Sequence, residues 1–536
     1  MNNNKIGALI LSGLTAVSLT HAKEATSNKK PNLVLVFVDD MGWGTFSPNI
    51  VNFTKDDLNK EFISKHVKDY TIEEAFDAAK RAMPNIEKYT NEGVRFTNAY
   101  VTANVSAPSR AGMLTSSYQE RYGLYIIPDA EKGLPDNILY MPQVLKSAGY
   151  TNGFFGKHHN GGEKIDELHT CTQGQHPLDR GFDSFFGFNY HSTEYYNSGI
   201  LFQNKRHVEC SEYLTDKLTE EAVKFIGDNK GKPKLVYLPY NALHAPLNAP
   251  APSKYTQRFQ YASKSLNTYA SYTAAIDDGI AVVMQKMKDI GELDNTVLIF
   301  MADNGAPGNG QATLPKNGPF TGFKGQDFQG GFRVPMFIWY GNKIKQGLVC
   351  NQVVSSMDIF PTFFDIANVE LPKNQKVDGI SLVPLIQGKS SKEVHESLVF
   401  MSQHAENWGM NGIKDQSICK GSFMVRKGDY VLRFIPDSNA FYLNDLSNDR
   451  AEKVNLITKY PQKAEEMKII FRNWFSEMKT PNEWKPQLWQ VVKFWDKTIM
   501  STSSVKNTQF IDKKTLNKQK REKRENMKIN KVEFSN

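Results

Sequence analysis

The chain has 536 residues, 40% of them hydrophobic and 23% charged, with a formal net charge of +8. That is enough chain for a large core and more than one domain, at an ordinary globular composition. Residues 513–536 hold nine Lys/Arg against three Glu, which leaves only +2 for everything else and argues against a nucleic-acid-binding body. Cys171, Cys210, Cys350 and Cys419 are widely spaced with no CxxC pair, which argues against a zinc site.

At the N-terminus Lys5 precedes an apolar stretch, Ile6 to Leu19, too short for a comfortable membrane span, and Thr20-His21-Ala22 offers a small-residue cleavage site. Residues 1–22 therefore read as a signal peptide that engages the export machinery. The mature protein is expected in the periplasm or the medium. No cysteine lies nearby for a lipid anchor, and no later run reaches transmembrane length. Export permits disulfides, with Cys171–Cys210 the first candidate, although spacing assigns no pairing.

Leu33 to Val38 is a continuous apolar, β-branched run, the pattern of a strand buried on both faces of a mostly parallel sheet. It ends in Asp39-Asp40-Met41-Gly42. Adjacent carboxylates there are costly unless a cation neutralises them, and hard oxygen donors favour calcium or magnesium. An exposed acidic turn is the plainer alternative. Residues 48–80 are polar, with helical spacing from Ile72 to Ala79, and read as an insertion over the active-site face. Gly93 to Val101 is a second strand, which delivers the chain to Ser106-Ala107-Pro108-Ser109-Arg110-Ala111-Gly112. Pro108 suits a first helical turn, where backbone N–H groups favour anions, and Arg110 adds a fixed positive fork. Taken alone, the segment also reads as a serine-capped surface helix.

Thr151 to Gly156 is a short strand that ends in Lys157-His158-His159, residues able to bind an anionic oxygen and move a proton. Phe185-Phe186-Gly187-Phe188-Asn189-Tyr190 reads as an aromatic loop, suited to sugar rings and equally to packing. Lys234 to Tyr240 is a strand, with His244 just past its end. Tyr269 to Ile290 is an amphipathic helix, and Thr296 to Ala302 a second fully apolar strand that ends in Asp303-Asn304. In a βα topology Asp39, Asp40, Asp303 and Asn304 converge as four hard ligands, with Ser106 available as another. The loop Gly305–Gly331 contains Lys324. From about residue 395 short strands at Phe423–Arg426, Tyr430–Phe434 and Phe441–Leu443, then a helix from Tyr460 to Met478, read as a smaller antiparallel α+β unit. His404 and Trp408 are further candidates to reach a substrate cleft. The organisation expected is a catalytic domain at 23–395, a C-terminal subdomain at 396–500 and a solvated basic tail at 501–536.

Over residues 31–480 these segments resemble the sulfatase family. Ser106 to Gly112 matches its Cys/Ser-x-Pro-Ser-Arg signature, and Gly156-Lys157-His158-His159 its Gly-Lys-x-His. His244-Ala245-Pro246 matches His-x-Pro, and Gly330-Gly331-Phe332-Arg333-Val334-Pro335 matches GG-x-R-V-P. Two positions depart: His158 stands where Trp is common, and Gln329 where Glu is usual, which puts one local hydrogen bond in doubt. The resemblance implies an alkaline phosphatase-like α/β sandwich with a large mixed, mostly parallel sheet and a smaller antiparallel subdomain. It implies hydrolysis of sulfate esters, with Ser106 oxidised by a maturation enzyme to formylglycine, whose hydrate is the nucleophile. A calcium or magnesium ion would sit on Asp39, Asp40, Asp303, Asn304 and residue 106. Arg110 would fix the nucleophile, Lys157 and Lys324 the sulfate, His244 would protonate the leaving alcohol and His159 would help release sulfate; the two histidine roles are open to exchange. A sulfated polysaccharide or oligosaccharide is the expected substrate. The rivals are a phosphate or phosphonate ester hydrolase on the same fold, and a non-enzymatic polyanion binder if Ser106 stays unmodified.

Overall fold

Two sheets organise the chain in the computed structural model, which describes residues 29–60, 69–162, 167–308, 315–403, 421–435 and 440–479. The signal-peptide segment, the basic tail, His404, Trp408 and Cys419 lie outside the described residues. The strands of the large sheet are β1 (Asn32–Val38), β2 (Val94–Tyr100), β3 (Thr151–Lys157), β4 (Ser184–Phe188), β5 (Ser198–Gln203), β6 (Arg206–Cys210), β7 (Lys234–Leu238), β8 (Thr296–Ala302), β9 (Arg333–Trp339) and β10 (Leu348–Ser355). Their order is β10-β2-β9-β8-β1-β7-β3-β4-β5-β6. The run β8-β1-β7-β3-β4 is parallel throughout, β10 is parallel to β2, and β9 is antiparallel to both neighbours. The sheet is thus mixed and mostly parallel, as expected.

Every residue of β1, β7, β8 and β9 is buried, which is why these strands are unbroken apolar runs. The chain leaves β1 for β2 on one side and later builds β3 and β4 on the other. That places a topological switch at β1, where ligands bind beyond the carboxyl ends of strands. The helix Lys264–Asp289 covers the sheet with Tyr269, Tyr272, Ile276, Ile280 and Val283 buried, and Ser263 caps it by accepting the Leu266 N–H at 3.1 Å.

The small sheet is antiparallel, with β11 (Ser397–Gln403), β12 (Gly421–Lys427), β13 (Tyr430–Ile435) and β14 (Ala440–Asp445) in sequential order. Period-two alternation gives it two apolar faces. Phe423, Val425, Leu432 and Phe434 pack under the helix Pro461–Ser476, where the Phe471 ring stacks on Phe423 at 3.6 Å. Leu398, Phe400, Met424 and Val431 join the main core, with the Phe400 ring 4.7 Å from Phe332 and 5.6 Å from Tyr100.

Two expectations change. The aromatic run Phe185–Phe188 is strand β4 and not a loop; its rings are buried in the core and offer no sugar platform. Cys171 and Cys210 are both free thiols. In the 48–80 stretch, the helix Ile72–Ala82 seats Ala75, Ala78, Ala79 and Ala82 on the flank of the helix Lys264–Asp289, near Leu266 and Ala270.

One buried pair outside the site ties a turn to the fold. The Asp358 carboxylate accepts the Ser355 and Ile380 N–H groups at 2.8 Å each and the His395 Nε2 at 2.9 Å. Burial opposes charging the His395 ring, but Asp358 outweighs it and the pKa is raised. A histidine raised above its unfolded value near 6.5 contributes stability that is fully present below that value and lost as pH rises through the folded one. His395→Gln is therefore expected to cost about 2 kcal/mol at about pH 6 and less at about pH 8.5, read by urea unfolding. An equal loss at both would show a ring that is neutral throughout.

Candidate active site

The site begins with register. β1 and β8 pair in parallel from Asn32↔Thr296 to Val38↔Ala302, so the next residues, Asp39 with Asp303 and Asp40 with Asn304, come side by side. The Asp303 N–H donates to the Val38 carbonyl at 2.9 Å and the Asp40 N–H to Asp303 Oδ1 at 3.1 Å. On the other flank the Asp39 N–H donates to the Ala242 carbonyl at 3.1 Å, which brings in the loop after β7. Asp40 is left-handed at φ 57°, a conformation costing a non-glycine residue roughly 1–2 kcal/mol and tolerated where the surroundings fix it. Gly305 must lack a side chain: a Cβ there would meet the Gly330 carbonyl oxygen at 1.8 Å, so the GG motif can fold down directly behind Asn304.

β2 delivers the chain to the helix Ser106–Thr115, all of whose residues are buried. Ser106 is its first residue, and its side chain makes no cap, so the surface-helix reading fails. Its Oγ instead donates toward two acceptors, Asp39 Oδ1 and Asn304 Oδ1, each 3.1 Å away. Arg110 lies one helical turn on and so on the same face. It donates from Nε and Nη2 to Asp303 Oδ2 at 3.1 and 2.8 Å, and from Nη1 to the Lys157 carbonyl at 3.2 Å. Burial works against its charge, yet Asp303 and Asp39 more than compensate and raise its pKa.

Two lysines neutralise the remaining carboxylates. Lys157, at the end of β3, donates to Asp39 Oδ2 at 2.5 Å, and Lys324 donates to Asp40 Oδ1 at 2.7 Å. Burial alone would push both carboxyls up; Lys157 on Asp39 and Lys324 on Asp40 hold them below the usual carboxylate value. Burial pulls the Lys157 ammonium down to about 8, despite Asp39. For Lys324 burial is outweighed by Asp40 and Asp39, and its pKa is raised.

The histidines ring this cluster. His244 Nδ1 lies 2.7 Å from the Ala245 carbonyl, which can only accept, so Nδ1 carries a proton and Nε2 faces Asp40 Oδ2 at 3.9 Å. The Tyr195 hydroxyl braces that loop through the Asn241 and His244 carbonyls, at 3.2 and 2.9 Å. His159 is buried at φ 56°, and neither ring nitrogen has a hydrogen-bond partner among the described residues. Burial, then the Lys157 and Arg110 charges, hold its pKa well below 6.5. Among the described residues, Asp39, Asp40, Ser106, Arg110, Lys157, His244, Asp303, Asn304 and Lys324 thus enter one contact network, and His159 borders it without a hydrogen bond.

The sequence reading missed His191. Its ring bridges the other two histidines, 6.4 Å from His159 and 6.3 Å from His244, and burial, then Lys157, lowers its pKa to about 4. The signal was present: His191 follows β4 as His159 follows β3. Of the two departures noted, His158 fills an aromatic slot, its ring edge-on to Phe154 at 5.7 Å and its Nδ1 on Asn189 Oδ1 at 3.1 Å. Burial keeps it neutral, with a pKa of about 3. Gln329 keeps its hydrogen bond, accepting the Tyr100 hydroxyl at 2.5 Å, while its backbone N–H donates to buried Glu452 at 3.0 Å.

Asp39, Asp40, Asp303 and Asn304 fit a divalent cation. Three buried carboxylates and a carboxamide oxygen from adjacent strand ends make a hard-oxygen set, and Asp39, Asp40 and His244 also bring ligand atoms within 4.8 Å of one another. Among the described residues no helix is long and apolar enough to cross a membrane.

Comparison with known proteins agrees with this construction. Residues 31–369 match the sulfatase family model and residues 324–479 the N-sulphoglucosamine sulphohydrolase C-terminal model. The chain is 31% identical over 498 residues to the uncharacterized sulfatase YdeN of Escherichia coli (strain K12), covering 85% of this chain and 88% of that one. It is 29% identical over 397 residues to N-acetylgalactosamine-6-sulfatase of Mus musculus, covering 67% of each. Among solved structures, Ps i-CgsB in complex with k-i-k-neocarrahexaose shares the fold at a TM-score of 0.70 and 24% identity, over 88% of this chain and 100% of that one. BT4656, in complex with its substrate D-glucosamine-2-N,6-O-disulfate, does so at 0.61 and 19%, over 85% and 100%. Family model and relative together show that the chain belongs to the sulfatase family and is a sulfuric ester hydrolase.

Proposed function

We propose that this chain removes sulfate from a sulfated polysaccharide or oligosaccharide, with residue 106 acting as formylglycine made from serine and a calcium or magnesium ion held by Asp39, Asp40, Asp303 and Asn304. The observation that carries the reading is the placement of Ser106 Oγ, 3.1 Å from both Asp39 Oδ1 and Asn304 Oδ1, with Lys157 and Lys324 on the same carboxylate cluster. Support for a saccharide comes from relatives: N-acetylgalactosamine-6-sulfatase in sequence, and the neocarrahexaose and glucosamine-disulfate complexes in structure.

Serine as encoded has one hydroxyl and can form a sulfate ester but not expel it. A hydrated aldehyde has two: one attacks sulfur, and deprotonation of the other re-forms the aldehyde as sulfate departs. What the cation supplies is Lewis-acid stabilisation of negative charge. The chain's own residues do the rest. Arg110 fixes Asp303 and, through the Ser106 helix, the position of residue 106. Lys157 and Lys324 place positive charge where sulfate oxygens gather charge. His244, with Nδ1 committed to a carbonyl, presents Nε2 to the leaving alcohol as acid. His159, buried and neutral, is placed to take the proton from the second hydroxyl. Export to the periplasm or medium follows from the basic and apolar pattern of residues 1–22.

Mass spectrometry of the peptide containing residue 106 is expected to show a mass about two units below serine, absent in Ser106→Ala, with hydrolysis falling by about a thousandfold or more. Only serine in fully active enzyme would overturn the mechanism. Dialysis against a chelator should abolish turnover, and calcium or magnesium should restore it; full activity without the ion would remove the cation from the scheme. With sulfate and phosphate monoesters of one alcohol, the sulfate ester is expected to be preferred in kcat/KM. A strong phosphate preference would instead favour the phosphohydrolase reading.

A further inference from the structure

Away from the carboxylate cluster, a cavity of about 400 Å³ opens between the β2–β9–β10 side of the large sheet and the turn that follows β14. Four arginines line it, Arg95, Arg333, Arg426 and Arg450, against one acidic residue, Asp429. None of Asp39, Asp40, Ser106, Lys157, His159, His244 or Lys324 lines it.

A break in the ladder builds the floor. The β2–β9 register shifts between Phe96 and Ala99, and the β2–β10 register between Cys350 and Val353. The bulged polar groups are then free for other partners. The Thr97 carbonyl accepts Trp43 Nε1 at 3.1 Å and Arg333 Nε at 2.8 Å, while the Asn98 amide donates to the Asn351 carbonyl at 2.7 Å. Arg333 lies over the Phe320 ring at 4.3 Å, which fixes the plane of its fork. Arg95 Nη1 donates to Asn49 Oδ1 at 3.0 Å, and Arg426 reaches the Tyr100 hydroxyl.

Those acceptors are neutral. Among the described residues no carboxylate lies within ion-pair distance of Arg95, Arg333 or Arg450, and the Asp429 contact to Arg426 is loose at 3.7 Å. Buried like charges repel, and burial with neighbouring Arg426 and Arg450 lowers the Arg333 pKa to about 10. Four convergent guanidinium forks against the one lining carboxylate of Asp429 leave an excess of the donors that planar, bidentate recognition of oxyanions uses.

We propose that this cavity binds a tetrahedral oxyanion, either free inorganic sulfate or phosphate or a sulfate group carried on a saccharide chain. The volume leaves room for more than the anion itself.

Equilibrium dialysis with labelled inorganic sulfate tests this on the full chain. Arg95→Gln/Arg450→Gln is expected to bind one sulfate fewer than wild type while its turnover of a small aryl sulfate ester stays within about twofold. Equal sulfate binding by both proteins overturns the proposal. Should the double variant fail to fold, Arg450→Gln alone changes an exposed residue, and it is expected to weaken the second sulfate about fivefold; no change overturns the proposal again. A selenate-soaked crystal should give an anomalous peak in contact with Arg333 and Arg95; a peak at Lys157 and Lys324 with none here would count against the site. KM for a sulfated oligosaccharide separates the sources: a rise in the variant assigns the substrate's own sulfate, an unchanged KM with lost inorganic sulfate assigns the free anion. Dialysis counts bound sulfate without turnover, so failure of this site and failure of the hydrolase reading are seen separately.

Discussion

Three carboxylates, Asp39, Asp40 and Asp303, are buried together because two parallel strands in strict register end at the same level. Burying such charge is prohibitive unless each is paired. The rest of the site answers that demand. Arg110 takes Asp303, Lys157 takes Asp39, and Lys324 takes Asp40, each from a different segment of chain. The Ser106 helix, the end of β3 and the glycine-rich loop before β9 are held in place by cations they contribute to one acidic centre. The geometry of this candidate site and the integrity of the fold therefore rest on the same contacts, and removing one partner strands a buried charge.

Much of this was legible in sequence because the physics was local. The unbroken apolar runs of β1 and β8 announced strands buried on both faces, and the oxygen donors at their ends followed directly. Lys157 and His244 were legible by position, the first at a strand end and the second just past one. The rule failed where burial and binding use the same residue types. Phe185, Phe186 and Phe188 form a core strand, and reading the run to Tyr190 as a loop also hid His191, which sits past that strand's end as His159 sits past β3. Tyr195 was beyond sequence reasoning, since its role is set by carbonyls of a distant loop.

The small sheet shows a second limit. Its short strands and helix read as a smaller unit, but both faces of the sheet are covered, one by the helix Pro461–Ser476 and the other by the main core. Tyr100, Gln329 and Arg426 knit the two sheets through buried polar contacts that sequence distance conceals. The arginine-lined cavity arises at this same seam, which is why no single motif announces it.

The depth of Ser106 also has a bearing on timing. Every residue of its helix is buried, and Ser106 itself is 1% exposed. On the proposed reading, an enzyme that oxidises this serine must reach it before β1, β8 and the helix close around it, so that oxidation and folding compete for the same chain. A host whose oxidising enzyme is slow relative to folding would then accumulate folded protein that still carries serine at position 106 and lacks the proposed nucleophile.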